Sequence, residues 1–261
     1  MAKKYFRLMI LHFSLILVVL LPGSIALNND SSLKLYLAFD EENGKIAKDH
    51  SKSRLEGRLS GKAKFVKNGR FGGALSLEDS NSLVQLPATD ELNITKSITI
   101  AAWIFPLVNQ KDSNVIGRRT AANVGGYCIQ WSGLGAVAKV ETWIGLPVWQ
   151  GTRNLQKTEP KLEKWHHVVA IYDGNEIKQY VNGKLDAYLK IPDREIASQK
   201  VELHIGKAQT GLPGIVGKID EVAIYDRALT KDEIKSDMQK GVFFSVEPSE
   251  KLATKWATLK R

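Results

Sequence analysis

Short segments rich in Val, Ile, Tyr and Trp recur along the chain from about residue 30 to about residue 240, and they constrain its fold more than any other feature. Gly, Asn, Asp and Pro separate them, and these are the residues that occupy turns. Segments of this length and spacing are typical of antiparallel sandwiches. The sequence therefore predicts an all-β fold of two packed antiparallel sheets.

Two of the segments are apolar on both faces. In 97–105 the even positions hold Ile or Ala, and the odd positions include Trp103 and Phe105. The segment 165–172 has the same two-sided character. A strand with two apolar faces must be covered on both sides, so both segments are predicted to be central strands.

Local motifs predict one run of hairpins and one helix. Asp173-Gly174-Asn175 and Asn182-Gly183 tolerate the positive φ angles of tight turns, so they predict three consecutive antiparallel strands. Thr230 and Glu233 have the spacing of a capping box, which predicts a short C-terminal helix across one end of the sandwich.

The N-terminus has the layout of a signal peptide. Basic residues precede an apolar run over 8–21, and Ser24 and Ala26 are the small side chains expected before a cleavage site. We expect cleavage after Ala26 and a secreted protein, extracellular or periplasmic, with no membrane span after cleavage. The alternative is an uncleaved N-terminal anchor. The predicted organisation is a signal peptide at 1–26, one domain at 27–246 and a polar tail at 247–261.

Composition narrows the classes of function. The single thiol, Cys128, excludes an intrachain disulfide and is expected to be a buried apolar group. The formal charge is +9, but the basic residues are scattered among acids. This distribution indicates neither a nucleic-acid groove nor a polybasic membrane patch. We expect a monomer.

Five ordered segments resemble the laminin-G-like jelly-roll domains of the concanavalin A-like lectin/glucanase superfamily. They are LYLAFDEENGKIAKDHSKSRLEG (35–57), NGRFGGALSLEDSNSLVQLP (68–87), SITIAAWIFP (97–106), EKWHHVVAIYDGNEIKQYVNGK (163–184) and GKIDEVAIYDRALTKDEI (217–234). The resemblance implies a two-sheet jelly roll, a fold shared by lectins and other sugar-binding modules. Fold alone does not determine function.

The resemblance also implies a structural calcium near the chain ends. Strict alternation puts Asp220 on the face of Val222 and Ile224, where a carboxylate needs a partner. The predicted calcium site is built on Asp40 and Asp220, with Asp49 as a weaker candidate. In the alternative, Asp220 accepts backbone N–H groups or pairs with a basic residue, and Asp49 caps a turn.

Histidines and acids are the residues of this sequence that could act as catalytic groups. His166 and His167 are adjacent in a strand, so their rings are expected on opposite faces and in structural roles. Laminarinase-type hydrolases, which share the jelly-roll fold, carry carboxylates alternating on one strand as Glu-x-Asp-x-Glu, or with one extra residue before the last Glu, and no such run is present. A Gly-x-Ser-x-Gly elbow is also absent from the sequence. We therefore expect no enzyme.

The region 106–163 is the expected ligand face, because it holds several aromatic residues around Gly-rich turns. Trp131 is assigned to the core, and Trp149, in a loop-like segment, is predicted to bind ligand together with Arg153 and Trp143. The predicted function is a secreted, non-catalytic binding module for a glycan. The alternatives are a protein-interaction or cell-surface assembly module that binds an extracellular protein, and a divergent glycoside hydrolase.

Overall fold

The computed structural model describes residues 30–119, 125–134, 137–191 and 193–242. The predicted signal peptide at 1–26 and tail at 247–261 lie outside the described residues, so cleavage after Ala26 stays a prediction. Among the described residues, no helix has the length and the apolar character needed to cross a membrane.

The strands form two antiparallel sheets, and we number them in chain order. Sheet I contains β1 (Leu33–Leu37), β4 (Ala63–Val66), β5 (Ala74–Leu77), β7 (Ile98–Pro106), β12 (His166–Tyr172), β13 (Glu176–Val181), β14 (Lys184–Lys190) and β16 (Gly217–Tyr225). Their order is β14-β13-β12-β7-β16-β5-β4, and β1 pairs with the C-terminal half of β16.

Sheet II contains β2 (Ile46–Lys48), β3 (Glu56–Ser60), β6 (Leu83–Leu86), β8 (Ser113–Arg118), β9 (Gly126–Leu134), β10 (Val137–Gly145), β11 (Trp149–Gly151) and β15 (Leu203–Gly206). Their order is β11-β10-β9-β8-β15-β6-β3-β2. The predicted two-sheet antiparallel jelly-roll sandwich is confirmed.

The core lies between the inner faces of the two sheets. Ile100 and Ile104 of β7 and Ile129 and Trp131 of β9 belong to one buried cluster. Trp131 is fully buried, as predicted. β7 lies between β12 and β16, which confirms its central position.

The predicted hairpins are also confirmed. β12, β13 and β14 are consecutive antiparallel neighbours. Asn182 and Gly183 have φ angles of 51° and 74° in the tight turn between β13 and β14. These are the left-handed conformations that Asn and Gly adopt most readily.

The helix α1 (Lys231–Lys240) begins at the predicted capping box, in which Thr230 and Glu233 bond reciprocally. Its position differs from the prediction. Ile234 clusters with Val169 and Ala223, which are on the outer face of sheet I. The helix therefore covers this face and does not lie across an end, because the central strands of sheet I are apolar on the outside and have to be covered.

Candidate functional site

A β-bulge gives Asp220 an orientation different from the one that the sequence predicts. The register between β16 and β7 shifts between Asp220 and Ala223, and Glu221 has a φ angle of 53°. As a result, Ile219 and Val222 both face the core, and Asp220 lies on the outer face of sheet I opposite Trp103. The predicted placement of Asp220 on the face of Val222 is wrong, because strict alternation does not continue through a bulge.

The Asp220 carboxylate holds a neighbouring loop by binding the backbone N–H groups of that loop. Its Oδ2 accepts hydrogen bonds from the backbone N–H groups of Arg70 (2.7 Å) and Phe71 (3.0 Å), and its Oδ1 accepts one from Glu221 N–H (2.8 Å). Burial raises the pKa of Asp220 to about 8, and the N–H donors offset only part of this effect. Asp220 thus has the backbone partners of the alternative interpretation.

The other two predicted calcium ligands also accept hydrogen bonds. Asp40 Oδ1 accepts one from Gly73 N–H (2.6 Å), at the far end of the loop held by Asp220. Asp49 accepts backbone N–H groups from Tyr36, Ser51 and Leu55, so it caps its turn.

Each of these three carboxylates accepts at least one backbone N–H group. The described part of the chain has no group of three or more His, Cys, Asp or Glu residues that could hold a metal ion. Calcium takes six to eight oxygens. Calcium binding at Asp40, Asp220 and Asp49 therefore stays a prediction.

The two adjacent histidines lie on opposite faces of β12, as predicted. His167 pairs in register with Trp103, and their ring centroids are 5.2 Å apart. His166 pairs with the core residue Ile104, and its Nε2 is 2.8 Å from Lys161 O. Burial lowers the pKa of His167 to about 3, so this ring is neutral near neutral pH.

The outer face of sheet II presents a continuous row of side chains across seven strands, which we call the cross-strand row. Its members pair in register from strand to strand: Arg58, Gln85, His204, Gly117, Cys128, Trp143 and Gly151. Cys128 is buried, as predicted, and burial raises the pKa of its thiol.

Trp143 and Arg153 come together at one end of this row. The Arg153 guanidinium carbon is 5.2 Å from the Trp143 ring centroid. Glu141, nearly buried, accepts from Arg153 Nε (3.0 Å), Arg153 Nη2 (2.8 Å) and Trp143 Nε1 (3.1 Å). Asp112 also pairs with Arg153. The two predicted ligand residues are thus oriented by a carboxylate beneath them.

Trp149 lies on the same outer face. It is the first residue of β11, rather than part of a loop, and it pairs with Gly145. The Arg119 guanidinium carbon is 4.6 Å from its ring centroid. Trp143 lies over the next glycine on this edge, because a Cβ built on Gly151 would be 2.5 Å from the indole ring.

The middle of the cross-strand row contains polar atoms that the sequence did not single out. Asn114 is fully buried, and its Oδ1 has no hydrogen-bond partner among the described residues. His204 is 8% exposed, and its Nδ1 also has no hydrogen-bond partner among the described residues. Asn114 Oδ1 is also 2.5 Å from the Cβ position of Gly117, which places it beside the row. Buried polar atoms of this kind are rare and call for a partner.

The sequence indicates which face of each strand is polar, but it does not show which polar residues of different strands lie together. Gln130 pairs with Glu141 on the same outer face, and both alternate with core residues of β9 and β10. A polar residue at every second position of an apolar segment indicates an outer face. The sequence pattern alone does not indicate that the residues of separate strands converge.

A comparison with models of protein families identifies the superfamily of this chain. The model of the family Laminin_G_3, described as concanavalin A-like lectin/glucanases superfamily, matches residues 78–235, more than half of the chain. The chain belongs to this superfamily. A search of curated proteins found no match for this concanavalin A-like chain.

Several solved structures share this concanavalin A-like fold. Domain 4 of AbnA, a GH43 extracellular arabinanase from Geobacillus stearothermophilus, solved in complex with arabinotriose, has a TM-score of 0.65 and 20% identity, covering 80% of this chain and 98% of that one. The binding domain of Paraclostridial Mosquitocidal Protein 1 has a TM-score of 0.60 and 16% identity, covering 79% and 52%.

The binding domain of botulinum neurotoxin DC, solved in complex with rat synaptotagmin II, has a TM-score of 0.59 and 17% identity, covering 80% of this chain and 52% of that one. The chain thus spans about half the length of the toxin binding domains that it matches. At these identities, the likeness shows the fold.

Proposed function

We propose that this chain is a secreted, non-catalytic carbohydrate-binding module whose site is the outer face of sheet II, between Trp143 and His204. One observation carries the proposal: the cross-strand row, with its neighbours Arg153 and Asn114, places an oriented indole and guanidinium on the same face as buried polar atoms without partners.

The chemistry of the row suits a sugar. The Trp143 indole offers a flat apolar face for the C–H groups of a sugar ring, and Arg153 and Glu141 keep it fixed. Asn114 Oδ1 can accept a hydrogen bond, and His204 Nδ1 can accept or donate one according to its tautomer; both atoms are buried, so a sugar hydroxyl would reach them once the covering side chains move aside. Sites that bind small molecules combine a few such polar groups with apolar walls.

The similar structures support a binding role. The arabinanase domain was solved with arabinotriose, and the botulinum neurotoxin DC binding domain was solved with SialylT and with synaptotagmin II. The predicted signal peptide supports secretion. We propose a non-catalytic role because the alternating carboxylates of jelly-roll hydrolases are absent from the sequence, and because the acids of this face, Glu141 and Asp112, both pair with Arg153.

A protein-interaction module is the second candidate. Val148 is 59% exposed beside Trp149, which gives this edge of sheet II an apolar contact. The complex of the botulinum neurotoxin DC binding domain with synaptotagmin II shows that a related fold binds a protein.

Glycan-array screening followed by calorimetry tests the proposal. We expect the protein to bind at least one neutral oligosaccharide, and Trp143→Ala to weaken that binding about tenfold or more. The matched control is Tyr188→Ala, which removes an exposed aromatic ring from sheet I. Circular dichroism confirms that both variants are folded.

Two results would contradict the proposed sugar site. In the first, the array is blank and a specific protein is captured, which favours the second candidate. In the second, a sugar binds and Trp143→Ala binds it as tightly as Tyr188→Ala. Release of reducing ends from the bound oligosaccharide would overturn the non-catalytic role and favour a hydrolase.

A further inference from the structure

The outer face of sheet I carries a second cluster of aromatic residues, on the opposite side of the sandwich from the cross-strand row. In one register line Lys218 lies opposite Phe105, and the Phe105 ring centroid is 5.5 Å from that of Trp165. In the next line Asp220, Trp103 and His167 lie side by side. Two rows of three side chains thus form a floor.

Two other structural elements, a loop and the helix α1, border this floor on opposite sides. The loop that Asp220 holds carries Arg70, whose guanidinium carbon is 4.5 Å from the Trp103 ring centroid. On the other side, Met238 of α1 packs against the β13–β14 turn, with its Cε 3.2 Å from the Cβ position of Gly183. The open cavity between these elements has a volume of about 470 Å³ and is lined by Arg70, Trp103, Trp165, Asn182, Met238 and Gln239.

The cations at the rim are free of acidic partners. Among the described residues, neither Arg70 nor Lys218 has a carboxylate within ion-pair distance. Lys218 Nζ lies 4.6 Å from the Phe105 ring centroid and donates to Asn68 O, two residues before Arg70. Lys218 is therefore tied to the loop that carries Arg70.

The groups beneath the cations add little opposing charge. Burial lowers the pKa of His167 to about 3 and raises that of Asp220 to about 8, so both are largely neutral at pH 7. Trp103 is 6% exposed, and its Nε1 donor has no partner among the described residues. The site thus has unneutralised positive charge, an unused buried donor and flat apolar walls.

We propose that this cavity is a second ligand site that takes one acidic sugar residue, with its oxyanion held by Arg70 and Lys218 and its ring against Trp165. The oxyanion is a carboxylate or a sulfate ester, and both carry the acceptor oxygens that Arg and Lys bind. The volume lies within the range of small-ligand pockets, which suits a single ring better than an extended peptide. This proposal stands independently of the neutral-sugar site on sheet II.

Matched polymers distinguish charge from sugar. The probes for calorimetry are dextran sulfate against dextran, and polygalacturonate against its methyl ester, with poly-L-glutamate as a charged polymer without sugar. We expect the protein to bind dextran sulfate or polygalacturonate and to bind neither neutral counterpart at this site. Binding of only one acidic polymer identifies the oxyanion as sulfate or as carboxylate.

Variants assign the binding to the cavity. Arg70→Ala and Lys218→Ala are each expected to weaken acidic-polymer binding about tenfold. Lys62→Ala is the matched control, because it removes the same charge from an exposed position elsewhere. Trp143→Ala is expected to leave acidic-polymer binding unchanged, so the failure of this site can be told apart from that of the sheet II site.

Three outcomes would overturn the proposal. These are the absence of binding to both acidic polymers, equal affinity for poly-L-glutamate, and a loss in Arg70→Ala no larger than in Lys62→Ala. In an independent measurement, the indole N–H resonance of Trp103 is expected to shift on addition of monomeric galacturonate or glucose 6-sulfate. The glucose control is expected to leave this resonance in place.

Discussion

Replacing His167 with Phe is expected to remove much of the acid sensitivity of the protein. His167 is buried against Trp103, and burial, with a smaller effect of the Arg70 charge, lowers its pKa from the ordinary 6.5 to about 3. Between these two values the unfolded chain binds a proton that the folded chain does not. Stability is therefore fully present above pH 6.5 and is lost as the pH falls toward 3.

The magnitude follows from the two pKa values. Between pH 7 and pH 5, protonation of the unfolded chain at this one site lowers the free energy of unfolding by about 2 kcal/mol. His167→Phe keeps a ring beside Trp103 but cannot take up the proton. The variant is therefore expected to lose about 2 kcal/mol less than the wild type over this interval, whatever its stability at pH 7.

Urea unfolding at pH 7 and pH 5 measures this difference, because other titrating groups are common to both proteins. Arg70→Ala serves as a second variant. Since burial is the larger cause, it is expected to retain most of the acid sensitivity of the wild type. Equal losses in the wild type and in His167→Phe would refute the argument, because they would mean that the folded protein accommodates a charged imidazolium at this position.

Three further predictions follow from the geometry. Burial raises the pKa of Asp220 to about 8, so the folded protein resists ionisation of this carboxyl as the pH rises. Between pH 6 and pH 8 the wild type is therefore expected to lose about 2 kcal/mol of stability relative to Asp220→Asn, as measured by urea unfolding. A difference in stability that stays constant over this interval would contradict the prediction. If calcium binds at the predicted site, excess chelator is expected to lower the melting temperature by several degrees. An unchanged melting temperature would contradict calcium binding. Gly151→Ala is expected to displace the Trp143 ring and weaken neutral-sugar binding as Trp143→Ala does, whereas unchanged affinity by calorimetry would show that the edge strand moves instead.

Much of the fold could be predicted because its signals are local. The turn at Asn182-Gly183 and the capping box at Thr230 depend on the backbone preferences of a few adjacent residues. The central position of β7 could be predicted from its two apolar faces. The position of α1 could not, because it depends on which sheet face lacks another cover.

The candidate site was only partly predictable. Trp143, Arg153 and Trp149 stand out as aromatic and cationic residues near Gly-rich turns, and the structure brings them to one face. Asn114 and His204 are far apart in the sequence and meet this face only through strand pairing. The sequence contains the residues of the row but not the register that aligns them.

The bulge in β16 illustrates this limit. The sequence by itself determined that the chain forms short antiparallel strands with defined inner faces, because alternation and turn preferences act over a few residues. Only the tertiary structure decided that Asp220 leaves the alternation, faces Trp103 and holds the loop of Arg70, because one extra residue in a strand reverses every later face and is fixed by long-range pairing.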